Sequence, residues 1–102
     1  MPQGTWSQAS GGGTPPLERD AQAMVYDPAT SSVIVFAGKG THDRYFNDMW
    51  AYRVGGGWSR LSPRGVLPPP RFGSEMVYDS VRNKIVVFGG VLRTGYQLSN
   101  DT

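Results

Sequence analysis

The chain has 102 residues, with 14 Gly, 8 Pro, no Cys and a formal net charge of +2. That length holds one small domain, no apolar run nears the roughly 18–20 residues of a membrane-spanning helix, and so weak a charge, spread along the chain, gives no basis for nucleic-acid binding. Without Cys there can be no disulfide, thiolate metal site or thiol nucleophile.

Met1 to Ser10 has no basic stretch followed by an apolar one, so no signal peptide is visible. The sequence is compatible with a cytoplasmic or an exported location. In chain order, the first strand expected is Trp6 to Ala9, followed by a Gly/Pro-rich loop from Ser10 to Glu18 in which Gly11 to Gly13 reads as linkage. Ala23 to Tyr26 carries β-formers ahead of Asp27, whose side chain is suited to set a turn. Val33 to Phe36 is a short continuous apolar run, the pattern of a strand buried on both faces; a strand with one wet face would alternate. A loop from Lys39 to Phe46 leads to a third strand, Met49 to Val54. The glycines at 55 to 57 turn the chain into a fourth, Trp58 to Leu61. After a loop from Ser62 to Pro70, Glu75 to Tyr78 and Ile85 to Phe88 repeat the first two strands, and Val91 to Ser99 reads as another loop. No segment shows helical periodicity over ten residues or more.

These elements repeat. Shifting the sequence by 52 residues places Trp6-Ser7 on Trp58-Ser59, Pro16 on Pro68, Arg19 on Arg71, Met24 to Asp27 on Met76 to Asp79, Val35-Phe36 on Val87-Phe88 and Gly38 on Gly90. Over positions 6 to 38, 13 of 33 aligned pairs are identical. Beyond the glycines the offset becomes 53, with Asn47-Asp48 matching Asn100-Asp101, so one residue has been inserted in a surface loop. A repeating unit of four short antiparallel strands, with inner strands covered on both sides, is the logic of a β-propeller, in which each sheet is covered by copies of itself.

The motifs resemble the kelch repeat. The second unit has Pro70-Arg71, Met76 to Asp79, Ile85 to Phe88, Gly89-Gly90 and Asn100-Asp101. The first has Arg19, Met24 to Asp27, Val33 to Phe36, Asn47-Asp48, Trp50-Ala51-Tyr52 and Trp58. The first unit departs at Ala37-Gly38, where the family has two glycines, and at Leu17-Glu18, where it has prolines. The resemblance covers residues 6 to 102. It implies an all-β fold of kelch-type propeller blades, about two four-stranded antiparallel blades with the last one incomplete. Residues 6–61 would hold the fourth strand of a preceding blade plus a complete blade, and 62–102 the first two strands of the next. Trp50, Tyr52 and Trp58 are expected to fill the space between blades. The chain reads as a piece of a longer array. Two bare blade faces would expose on the order of 700 Å², so neighbouring blades or self-association are expected; three chains would supply six blades.

Connections alternate between the two edges of such a sheet. The long ones, Ser10 to Glu18, Lys39 to Phe46, Ser62 to Pro70 and Val91 to Ser99, share one edge, and only short turns lie on the other. Binding groups concentrate on long loops held by a rigid scaffold, and the resemblance places the ligand or partner site on this edge. The candidates are Arg19, Lys39, His42, Asp43, Arg44, Tyr45, Arg71, Arg93 and Tyr96, a cationic and aromatic set suited to carboxylates, acidic peptides or sugar hydroxyls. For Arg19 and Arg71, which repeat, a structural role weighs equally.

Signatures of chemistry are sparse. His42 is the only His, which excludes a multi-His metal site within one chain. His42-Asp43 has no accompanying G-x-S-x-G nucleophile. Gly38-Lys39-Gly40-Thr41 has Val33 where a phosphate loop needs its first Gly, and no helix follows. Sugar-oxidising kelch enzymes use a copper site with a cross-linked Cys and several His, which this composition cannot supply. The expectation is therefore a non-catalytic binding module with no cofactor and a protein or peptide partner. The alternative is part of a kelch-like carbohydrate-binding protein or sugar-isomerising enzyme whose catalytic residues lie elsewhere.

Overall fold

The computed structural model describes residues 4, 13–42, 44–63, 65 and 67–92. Among the described residues eight strands form and there is no helix: β1 (Ala23–Asp27), β2 (Ser32–Lys39), β3 (Tyr45–Arg53), β4 (Gly57–Leu61), β5 (Arg71–Phe72), β6 (Glu75–Asp79), β7 (Lys84–Phe88) and β8 (Val91–Leu92). The first four make an antiparallel meander in sequence order, β6 pairs with β7, and β5 with β8. The expected strand Trp6 to Ala9 and the Asn100-Asp101 pair lie outside the described residues.

The β1–β2 and β6–β7 hairpins turn where the sequence places an Asp. Asp27 accepts from the backbone N–H of Ala29 and the hydroxyl of Thr30, both at 3.0 Å. Asp79 accepts from the N–H of Val81 at 3.0 Å and of Arg82 at 3.3 Å. Ser31 and Asn83, both at φ 53°, close the two turns at equivalent positions. The repeat is thus one of backbone conformation as well as of residue type.

The pairing gives each sheet two distinct faces. In the first, Ala23 lies opposite Phe36, Val25 opposite Ile34, and Ala51 opposite both Ile34 and Ser59. Call this the front face. Met24, Tyr26, Val33, Trp50, Tyr52 and Trp58 alternate with it and form the back. In the second sheet Met76 lies opposite Val87 and Tyr78 opposite Ile85, the same back-face positions one repeat later. The core is the back of the second sheet laid on the front of the first: Met76, Ile85 and Val87 against Ala23, Val25, Ile34, Phe36, Met49, Ala51 and Leu61.

Met49 and Ala51 fill the space between the two sheets, because on β3 they hold the opposite parity to Trp50 and Tyr52. The aromatics line the back of the first sheet, half-buried, with the Tyr52 and Trp58 rings 5.2 Å apart. The two inner strands also differ. β2 is buried almost throughout, but β7 is not, and Phe88 is 51% exposed where Phe36 is 1% exposed. Among the described residues no sheet covers the front of β7, so an apolar run suited to double burial keeps one wet face.

Two further departures lie at the inner ends of the strands. β2 and β3 extend past the expected loop, pairing Lys39 with Tyr45, so the connection shrinks to residues 40–44. The isolated Asp20–Lys39 bridge and the Phe72–Val91 pair are the same contact one repeat apart. Gly38 and Gly90, at φ 109° and 104°, sit where the preceding loop crosses; a Cβ on Gly38 would lie 3.0 Å from the Asp20 carbonyl oxygen, and one on Gly90 3.0 Å from that of Phe72. Ala37 takes φ 61° where the equivalent Gly89 takes 75°, so the departure from paired glycines leaves the backbone path unchanged. Gly13 also packs closely, against the Trp58 carbonyl, and is not simple linkage. Gly38→Ala is expected to cost about 2 kcal/mol, from left-handed strain together with the contact on Asp20. Urea unfolding of the variant checks this.

Candidate functional site

Arg19 and Arg71 come from matched positions and make matched bonds. Arg19 donates from Nε to the Leu17 carbonyl at 3.0 Å and from Nη1 to the Ala37 carbonyl at 3.2 Å. Arg71 donates from Nε to Pro69 at 3.1 Å and from Nη1 to Gly89 at 2.9 Å. Each ties the loop entering its sheet to the end of the inner strand. Arg71 is 2% exposed. Arg19 also grips Asp48 with both guanidinium nitrogens, Nη1 to Oδ1 at 2.5 Å and Nη2 to Oδ2 at 3.1 Å, and its Cζ lies 3.9 Å from the centroid of the Phe46 ring. Both arginines, for which a structural and a binding role weigh equally in the sequence, have their guanidinium groups engaged within the fold, Arg19 as a bidentate clamp on Asp48.

Asp48 reaches Arg19 because of a bulge. Phe36 pairs with Met49 but Gly38 with Phe46, so Asn47 and Asp48 together oppose Ala37. The extra residue re-aims the side chains on β3. Asp48 then accepts from Arg19 and, at 2.8 Å, from the Trp50 indole, while Asn47 donates to the Pro68 carbonyl at 3.1 Å. The Asn-Asp motif thereby ties β3 to the loops before both sheets.

Beside this clamp the long-loop edge is indented. One cleft of about 300 Å³ is lined by Glu18, Arg19, Asp20, Lys39, Gly40 and Thr41. A second of about 110 Å³ shares Glu18, Gly40 and Thr41 and adds Leu17, Arg44 and Phe46. The hairpin end is held by Gly40 N–H to the Arg44 carbonyl at 2.8 Å and Arg44 N–H to Thr41 at 3.2 Å. The site is therefore mixed in charge: Glu18 and Asp20 face Lys39 and Arg44 around an exposed hairpin tip. The residue-type reading weighed cations and aromatics and passed over the two acids, which flank Arg19 in the sequence and are brought to the clefts by the Asp20–Lys39 bridge.

Of the other candidates, Lys39 lines the larger cleft and its Nζ lies 5.5 Å from the Phe72 ring centroid. Tyr45 packs on Phe72 with ring centroids 5.3 Å apart. His42 stands exposed at the hairpin tip with φ 57°. Asp43, Arg93 and Tyr96 lie outside the described residues. Among the described residues no group of three or more His, Asp or Glu side chains converges to hold a metal ion.

Burial alone pushes the Asp48 carboxyl up, but the hydrogen bonds from Arg19 and Trp50 and the Arg19 charge outweigh it, leaving the pKa below its usual 3.8. A carboxyl with a depressed folded-state pKa adds stability that is fully present above the unfolded value and is lost as pH falls through the folded one. Asp48→Asn is expected to cost on the order of 3 kcal/mol at neutral pH, because it leaves a buried guanidinium without its counter-charge. It should also make the fall in stability below about pH 4 shallower than in the parent. Urea midpoints from pH 7 to pH 2.5 test both effects.

Two stacked units share an Arg clamp, an Asp-led turn and a strand-end glycine. The whole chain, residues 1–102, matches the family model described as the KLHDC2/KLHL20/DRC7 Kelch-repeats domain. The chain belongs to the Kelch-repeat family.

Proposed function

We propose that the chain is a non-catalytic binding module that takes a protein or peptide partner at the long-loop edge, over the clefts around Gly40 and Thr41. Kelch-repeat domains generally mediate protein interaction without catalysis. The observation that carries the reading is the alternation of charge there: Glu18 and Asp20 beside Lys39 and Arg44, with Leu17 59% exposed at the rim. Opposed charges around an apolar lip favour a polypeptide, which offers both signs of charge and apolar side chains. The buried Arg19 and Arg71 act as supports that hold the loops in position.

Ligands selected from a displayed peptide library on the parent chain are expected to lose at least about tenfold in affinity, about 1.4 kcal/mol, on the double charge reversal Glu18→Lys, Arg44→Glu. Both positions are exposed, so the far-UV spectrum should not change. Selected ligands whose affinity is indifferent to the reversal would contradict the proposal.

A further inference from the structure

We propose that the peptide taken at the long-loop edge carries a basic side chain, which meets Glu18 and Asp20 in the larger cleft, beside an aliphatic one, which meets Leu17 and Phe46 in the smaller. The inference rests on the reading of that edge as a peptide site and fixes the polarity of its ligand.

The cations of the larger cleft are already engaged. Arg19 gives Nε to the Leu17 carbonyl, Nη1 to the Ala37 carbonyl and both Nη atoms to Asp48, and its side chain is 4% exposed. With Asp48 it forms a neutral unit. Lys39 holds its ammonium 5.5 Å from the centroid of the Phe72 ring, within cation–π range. Glu18 and Asp20 are exposed, and among the described residues neither carboxylate makes a hydrogen bond or an ion pair. Two carboxylates against one ammonium leave this cleft net negative, in a chain whose formal charge is +2. Such a cleft attracts a cation, and a guanidinium has the donors to serve two carboxylates at once.

The smaller cleft differs in character. Leu17 and Phe46 supply apolar wall, and the Phe46 ring is fixed by the Arg19 guanidinium laid over it. Its volume of about 110 Å³ is below the roughly 150 Å³ that holds a benzene ring, so it suits an aliphatic side chain better than an aromatic one. The two clefts share Glu18, Gly40 and Thr41, which places the basic and aliphatic side chains at neighbouring positions of one extended segment.

The lining of these clefts stands apart from the repeat. One repeat later Leu17, Glu18 and Asp20 become Pro69, Pro70 and Phe72, and Lys39 and Gly40 become Val91 and Leu92. The groups that hold the edge do recur: Arg19 as Arg71, Gly38 as Gly90, and the Asp20–Lys39 bridge as the Phe72–Val91 pair. What the fold needs is present in both units. The carboxylates at 18 and 20 are present in one, so stacking and loop placement do not require them, and recognition accounts for them.

The test selects ligands from a displayed library of random peptides on the 102-residue chain and titrates capped synthetic versions. Peptides weakened by the charge reversal at Glu18 and Arg44 bind at this edge. They should carry Arg or Lys within about two positions of Leu, Ile or Val. Changing that base to Gln in the peptide should weaken binding at least about tenfold, as should Glu18→Gln with Asp20→Asn in the chain. The two changes should not add: on the neutralised chain the peptide substitution should cost less than about twofold. Edge-binding peptides that are acidic or lack a base, or a base whose loss costs the same on both chains, would overturn this inference and leave the binding reading intact. A selection that yields no ligand sensitive to the reversal would overturn both. The peptide substitution on the parent chain decides the matter even where the neutralised chain fails to fold.

Discussion

The back of one β-sheet lying on the front of the next organises this molecule. Neither sheet alone has enough apolar surface to order a chain of this size; together they bury Phe36, Ile34, Ala23 and Met76 in one cluster. The interface has a direction. Back-face positions carry Met, Tyr and β-branched residues in both units, and front-face positions carry Val and Phe in both. Stacking is therefore head to tail, and each unit presents the same two surfaces. Met24, the repeat mate of Met76, is 59% exposed while Met76 is 8% exposed. The difference lies in what covers them and not in the residue.

The Arg19–Asp48 pair works alongside that stacking and does something apolar packing cannot. Non-directional burial holds sheets together but does not position loops. Arg19 joins the loop before β1, the end of β2 and the bulge of β3 through directional, charge-assisted bonds, and Asn47 reaches on to the loop before β5. The mixed-charge clefts at Gly40 and Thr41 sit directly beside this clamp. Rigid supports behind an exposed, charged hairpin are what a preorganised interaction surface requires.

Most of the fold was legible because its signals are local. Apolar runs, Asp-led turns and glycines each act within a few residues, and the 52-residue repeat shows them twice. What was illegible depends on the third dimension. For the arginines, residue type leaves structural and binding roles level, because nothing in it says that Asp48, far along the chain, arrives beside Arg19; the arrival depends on a one-residue bulge that only the pairing register reveals. The acids Glu18 and Asp20 were passed over for the same reason. Trp50 and Tyr52 could be assigned to a sheet face, but which face meets the second sheet is set by the direction of stacking. The apolar run of β7 was read as doubly buried because burial is a property of neighbours, and among the described residues its front has none.

Directional stacking is tested most directly by truncating the two equivalent methionines separately in the 102-residue chain and measuring urea unfolding. Met76→Ala should lose about 2 kcal/mol or more, as for a buried Met, and Met24→Ala less than about 0.5 kcal/mol, as for a surface site. Equal losses at the two positions, or a larger loss at Met24, would contradict the account.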